Sequence, residues 1–231
     1  MISVCMATYN GAQFINDQIK SILMQIDFSD ELIIVDDCST DETVKKIKAF
    51  KDPRIRLFVN TLNQGPIRSF ASALSQTRGE FLFLADQDDV WLKDKVSKVM
   101  AAFLDQDAVL VVHDGIVTDI NLIPIDSSWN HYNHSKPTHS LLQTLIKNSY
   151  TGAMMAMKRD LLRLILPFPE EISMHDWWIA LVALKHHLEI VVLPDKLVDY
   201  RRHVGTVTGT RKPLRRMFLD RVKMLRLVSK A

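Results

Sequence analysis

Three carboxylates, Asp86, Asp88 and Asp89, follow an apolar run in LFLADQDDVW, residues 82–91. Crowded carboxylates repel one another and call for a cation. Oxygen donors favour a hard divalent ion such as Mg2+ or Mn2+. Where a protein offers such an ion few ligands, water and substrate phosphates complete its shell. A D-x-D after a strand therefore suggests a metal–diphosphate site, although the tripeptide alone is common by chance. A second acidic pair, Asp36-Asp37, follows the apolar LIIV. The polar clusters Thr8-Tyr9-Asn10-Gly11 and Asn63-Gln64-Gly65 follow two further apolar runs. A helix cap accounts for Asp41 or Asp89 taken singly. It does not account for four polar ends. Neither GxxxxGK[ST] nor GxGxxG occurs, so neither a P-loop nor a dinucleotide fold is indicated. Metal would carry much of the phosphate binding, helped by Arg68.

Positioning these groups requires strands and helices in alternation. ISVCMATY, LIIV (32–35), IRLFV (55–59), FLFLA (81–85) and AVLVVH (108–113) read as strands, and the wholly apolar ones suit a sheet covered on both faces. Between them, helical spacing recurs at Ile15, Ile19, Ile22, Leu23 and Ile26, then from Asp41, then from Pro66, then over Val96, Val99, Met100, Phe103 and Leu104. This is an α/β pattern with a mostly parallel sheet. Ligands bind such sheets beyond the carboxyl ends of the strands, so the four polar ends share one edge. After about residue 114 the rhythm changes. TGAMMAMK reads as a strand, SLLQTLIKN and RDLLRLIL as helices, and HDWW opens a helix with Ile179, Val182 and Ala183 on one side. EIVVLP and KLVDYR read as two short strands, and residues 124–140 as a mobile loop. The expectation is one domain over residues 1–210, with a nucleotide-binding half (1–113) and an acceptor-binding half (114–210). A basic amphipathic helix follows at 211–231.

Four stretches in this order and spacing, ISVCMATYNGAQFINDQIKSIL, IIVDDCSTDET, NQGPIRSFASAL and FLFLADQDDVW, resemble family 2 inverting glycosyltransferases of the GT-A fold. ADQDDVW with MHDWWIALVA and YRRH resembles the bacterial rhamnosyltransferase-like branch. The resemblance runs from residue 2 to about 204. It implies a hexosyl transfer from a dTDP- or UDP-linked sugar, rhamnose in that branch, to a growing cell-surface glycan or lipid-linked glycan, with Mg2+ or Mn2+. By this resemblance Thr8, Tyr9 and Asn10 wrap the nucleotide. Asp37 meets the base with Asp36 beside it, and Arg68 lies on the nucleotide side. Asp86 turns to the ribose with Gln87 next to it, Asp88 holds the metal, and His203 approaches metal or diphosphate. Asp176 is the catalytic base, with His175 where the family usually has Glu. The Asn that often follows the branch's histidine is missing from HVGTVTG. An inverting displacement needs no covalent nucleophile, which agrees with the lack of a Ser-His-Asp or Cys-His grouping.

Simpler readings stand beside these. Asp176 opens a helix and would serve as its N-cap. At least one of Trp177 and Trp178 belongs to the core, leaving the other to stack on a sugar. Asp114 and Gly152, with Thr151, are candidates for the acceptor side, although Gly152 also suits a tight backbone. His113, His131, His134 and His139 read as mostly surface histidines. In the tail, basic residues from Arg211 to Arg226 surround an apolar stripe. That pattern suits anionic lipid or the solvated face of a packed helix.

The 231 residues, 47% hydrophobic, can bury a substantial core, and a net charge of +2 does not mark a nucleic-acid binder. Cys5 and Cys38, far apart, fit a reducing cytosol without a disulfide framework. MISVCMATYN lacks a leader's form, so a cytoplasmic place is expected, with contact at the inner membrane face through the tail. Three rivals remain. A D-x-D phosphatase or phosphotransferase wants that motif near its N-terminus. A receiver-like module is about half this length. A non-catalytic sugar-nucleotide binder would not need Asp88 and Asp176 intact.

Overall fold

The computed structural model describes residues 1–203 and 213–231. The loop HVGTVTG beyond His203, and Arg211 and Lys212 of the basic tail, lie outside the described residues. In chain order the elements are β1 (Ile2–Thr8), α1 (Ile15–Leu23), β2 (Glu31–Asp36), α2 (Thr43–Ala49), β3 (Ile55–Val59), α3 (Pro66–Ser75) and β4 (Phe81–Asp86). Then come β5 (Val90–Trp91), α4 (Lys95–Asp105), β6 (Leu110–Thr118), β7 (Pro124–Asp126), α5 (Trp129–Tyr132), α6 (Leu141–Ile146), β8 (Met155–Lys158) and α7 (Leu162–Ile165). The chain closes with α8 (His175–Lys185), β9 (Ile190–Arg201) and α9 (Leu214–Val228).

One mixed sheet of order β3-β2-β1-β4-β8-β6-β9-β5, with β7 on β6, organises the molecule. β1, β2, β3 and β4 run parallel, in a register that sets Thr8 beside Asp36 and Ala7 beside Asp86. That register brings the polar ends of β1, β2 and β4 to one edge. Side chains alternate between the two faces as strand geometry requires. Val4, Met6, Leu32, Ile34 and Phe83 enter one core, and Cys5, Ile33, Val35, Leu82 and Leu84 enter the other. The short β8 is antiparallel to both β4 and β6. It wedges the second half of the chain against the first.

Several sequence expectations are corrected here. EIVVLP and KLVDYR form the single strand β9. Its pairing with β6 jumps from Val112↔Val192 to Asp114↔Lys196. Pro194 falls in that gap, where no ladder bond is asked of it. TGAMMAMK begins with a 3-10 turn (Gly152–Met154) before β8 starts. Residues 124–140 are not simply a loop. β7 and α5 lie within them, and buried Trp129 packs on Tyr200 with ring centroids 4.5 Å apart. Helix α8 is buried all round rather than on one side, because α6, α7 and α9 pack around it.

Candidate active site

A cavity of about 400 Å3 opens at the edge where β1, β2 and β4 end, and the start of α8 forms part of its wall. Thr8, Tyr9, Asp37, Asp86, Gln87, Asp88, Gly152, His175, Asp176 and His203 line it, so most of the expected site residues meet in one place.

The nucleotide-side wall is built from reciprocal bonds. The Tyr9 amide donates to Gln87 Oε1 (2.9 Å), and Gln87 Nε2 donates to the Tyr9 carbonyl (3.0 Å). This pair clamps the end of β1 to the turn after β4. Gly11 makes room for it, since a Cβ there would stand 2.1 Å from Gln87 Oε1. The Asp37 carboxylate accepts from Asn60 Nδ2 and from the Gln64 and Gly65 amides, which fixes the approach to α3.

The acidic wall is electrostatically strained. Burial first, then repulsion from Asp88 and Asp176, pushes the Asp86 carboxyl up to about 7. Burial also raises Asp89 well above the usual carboxylate range, and it draws the Lys95 ammonium beneath it down to about 7. Lys95 Nζ donates to the Ala153 carbonyl (2.8 Å) and sits 4.4 Å from the centre of the Trp91 ring. One buried lysine thus faces several acids. Asp88 Oδ2 and His203 Nε2 are joined by a 2.7 Å hydrogen bond, which brings a carboxylate and an imidazole together at the cavity. Among the described residues no three His, Cys, Asp or Glu side chains gather to hold a metal. Asp88 and His203 therefore suit a hard divalent cation as a partial ligand set, with water and phosphate completing the shell.

In the same cavity, Asp176 is held among the described residues by hydrogen bonds. Its Oδ1 accepts from Asn148 Nδ2 (3.0 Å) and from the Trp177 amide (2.6 Å), and its Oδ2 accepts from the Gly152 amide (3.2 Å). His175 stacks on Phe70 at 4.2 Å, and a Cβ on Gly152 would stand 2.7 Å from its Nε2. Among the described residues neither ring nitrogen has a hydrogen-bond partner, and burial depresses the imidazole's basicity. A fixed carboxylate on one wall and a cation-seeking acidic edge on the other can serve a proton acceptor and a departing diphosphate.

Residues 3–166 match the model of the family described as "Glycosyl transferase family 2". The chain belongs to glycosyl transferase family 2. It is 33% identical over 104 residues to the Escherichia coli "UDP-Glc:alpha-D-GlcNAc-diphosphoundecaprenol beta-1,3-glucosyltransferase WfgD", covering 45% of this chain and 41% of that one. It is 29% identical over 208 residues to the Staphylococcus aureus "Poly(ribitol-phosphate) beta-N-acetylglucosaminyltransferase TarS", covering 86% of this chain and 35% of that one. The chain thus spans less than half the length of these relatives. In structure it is similar to TarS residues 1–349 in complex with UDP-GlcNAc, with a TM-score of 0.72 and 19% identity over 98% of this chain and 65% of that one. It is also similar to the mannosyltransferase PcManGT from Pyrobaculum calidifontis in complex with GDP-Man and Mn2+ (0.65, 20%, 90% and 58%). These likenesses establish the fold as that of GT-A glycosyltransferases.

Six expected site residues of this family 2 chain lie outside the cavity lining. Asp36 is fully buried and saturated by Thr8 Oγ1 and by Ser39 through both its amide and its hydroxyl, so it joins β1 to the loop after β2. Asn10 accepts from the Thr40 amide (2.8 Å) and steadies that same loop. Arg68 is on the exposed side of α3, 3.8 Å from Glu170. Asp114 lies inside β6 rather than beyond a strand end, and its carboxylate is consumed by Gly115, Ser128 and Asn130. Trp177 and Trp178 both belong to the core, with their indole N–H groups donating to the Thr144 and Ile165 carbonyls. His113 is likewise internal, not a surface histidine.

Two residues at the site escaped sequence reasoning. Arg201 is 3% exposed yet lines the cavity, its guanidinium 4.9 Å from the Phe14 ring centre and its Nε without a partner among the described residues. Its place in YRRH, two positions before His203 at the end of a strand, was the available signal. Asn148 carried none, since it lies between elements with no motif around it.

Proposed function

We propose that this chain transfers a sugar, with inversion, from a nucleoside-diphosphate sugar to a hydroxyl group of a cell-surface glycan. The observation that carries the reading is Asp176. It shares one cavity with Asp86 and Asp88 and is fixed there by three donors. In this reading the acceptor oxygen bonds to the anomeric carbon as the bond from that carbon to the diphosphate oxygen breaks. Asp176 takes the hydroxyl proton as the new bond forms. Thr8, Tyr9, Asp37, Asp86 and Gln87 bind the nucleotide, and His175 and Gly152 border the acceptor. Asp88 and His203 would hold Mg2+ or Mn2+, which when bound offsets negative charge on the diphosphate. Arg201 adds a cation on the same side.

The names of two relatives, one a UDP-Glc enzyme and one crystallised with UDP-GlcNAc, support a UDP-linked donor over a dTDP-linked one. HDWW and YRRH favour rhamnose. The acceptors in those names, a diphosphoundecaprenol-linked sugar and a poly(ribitol-phosphate), support a lipid-linked or polymeric acceptor. No described helix is long and apolar enough to cross a membrane. Helix α9 exposes Phe218, Leu219, Val222 and Leu225 among Arg215, Arg216, Arg221 and Lys223, which supports contact with an anionic membrane surface.

Calorimetry with UDP, with and without EDTA, and a thermal-shift panel of UDP- and dTDP-sugars test the donor side. Binding that is equal with and without EDTA removes the metal from the reading. Asp176→Asn is expected to lose transfer by about 100-fold or more while binding UDP normally. Substantial transfer by that variant removes Asp176 as the base.

A further inference from the structure

Asp176 is held from a segment that no motif identifies. Asn148 lies between α6 and the 3-10 turn at Gly152, far from the cavity's strand ends in sequence. Its side-chain amide is oriented at both ends. Asn148 Oδ1 accepts from the Tyr150 amide (3.1 Å), so Nδ2 must face away from that amide, and it donates to Asp176 Oδ1 (3.0 Å). The backbone N–H of Tyr150 can only donate, which removes the usual ambiguity of an amide flip. Among the described residues the other two donors to Asp176 are backbone amides, of Trp177 and Gly152, which side-chain exchanges other than to proline leave in place. Asn148 is therefore the adjustable support of this carboxylate.

We infer that Asn148 is a positioning residue for the proton acceptor, holding Asp176 aimed into the cavity by a hydrogen bond from Nδ2. The inference rests on the reading of Asp176 as the base. That donor occupies one oxygen, while the second, Oδ2, accepts among the described residues only the long Gly152 contact. That second oxygen is the one with capacity for an incoming hydroxyl. The same residue joins the base to the acceptor-half segment. Tyr150, whose amide Asn148 accepts, donates its hydroxyl to the Thr138 carbonyl (2.8 Å), and Lys147 donates to the Asn133 and His134 carbonyls. Among the described residues the charged or titratable groups that share the cavity with Asp176 are Tyr9, Asp37, Asp86, Asp88, His175, Tyr200, Arg201 and His203.

The test compares Asn148→Asp with Asn148→Ala. The Asp variant keeps an oxygen for the Tyr150 amide but replaces the donor by a like charge beside Asp176. The Ala variant loses both bonds. The ionisation of Asp176 is followed by carboxylate 13C NMR in the protein alone, in EDTA, with Asp176→Asn as the assignment control. Its midpoint should move to higher pH in both variants, by about one unit or more in Asn148→Asp, and farther there than in Asn148→Ala. With the donor sugar found by the nucleotide-sugar panel, kcat at neutral pH should fall about tenfold or more in Asn148→Asp, recovering as pH rises, with the donor KM unchanged. An Asn148→Asp chain with the unaltered midpoint and kcat overturns the inference. Equal losses in both variants without any pH displacement overturn it too, because they reduce Asn148 to a loop support. If Asp176→Asn still transfers sugar, the reading of the base fails, whereas the NMR midpoint still decides the role of Asn148.

Discussion

Gly11 and Gln87 show how little space the cavity wall after β1 allows. Two hydrogen bonds between the Gln87 amide and the Tyr9 backbone exist only because Gly11 has no side chain. Gly11→Ala should push the Gln87 amide off Tyr9 and cost about 1–2 kcal/mol, the value of two ordinary hydrogen bonds. In urea titrations the double variant with Gln87→Ala should cost no more than the larger of the two single changes, because both break the same clamp. His175 supports a second prediction. Burial lowers its folded pKa, so the unfolded chain binds the proton more readily. Its contribution to stability is therefore complete above the unfolded value of about 6.5 and is lost as pH falls below that value. Unfolding free energy should decline in acid, and His175→Gln should flatten that decline by up to about 1.4 kcal/mol per pH unit. Buried His113, shifted in the same direction, leaves a residual slope in that variant.

The strands that present the acids are the most deeply packed elements. Ile33 lies at the centre of β2, is fully buried, and is in register with Cys5 of β1. Ile33→Ala should cost about 2–5 kcal/mol, whereas Val59→Ala, at the half-exposed end of β3, should stay within about 0.5 kcal/mol. Chemical denaturation separates the two. This packing is also why the first half was legible. LIIV and FLFLA are continuous apolar runs that only a two-sided sheet buries, and the polar residues at their ends fell where parallel strands put them. The second half was less legible because its pattern is set by tertiary partners. Pro194 suggested a break between two strands, yet an irregular stretch of the β6–β9 ladder absorbs it. Asp114 looked like a strand-end acid because β6 continues through polar residues to Thr118, held by β9 on one side and β8 and β7 on the other. HDWW was read correctly as a helix start. That both tryptophans are internal follows from α6 and α7 covering α8, which no local spacing encodes.

At the scale of the molecule, α9 combines an anchored face with an open one. Met224 and Val228 are buried against the domain, while Phe218, Leu219, Val222 and Leu225 are exposed among cations. The chain should sediment with vesicles containing anionic lipid and not with neutral ones. Phe218→Glu with Leu225→Glu should reduce that binding about tenfold or more, since each removes apolar contact and adds repulsion. Unchanged sedimentation would leave the open face to some other contact. The closure of the site is a second property of the whole chain. The Arg201 amide donates to Asp89 and His203 meets Asp88, contacts that span 112 and 115 residues of sequence. A chain emerging from the ribosome therefore displays its acidic turn long before the strand that seals it exists. Assembly of the site therefore waits on β9, whose contacts to the turn each close a loop of more than a hundred residues and carry the corresponding loop-closure entropy.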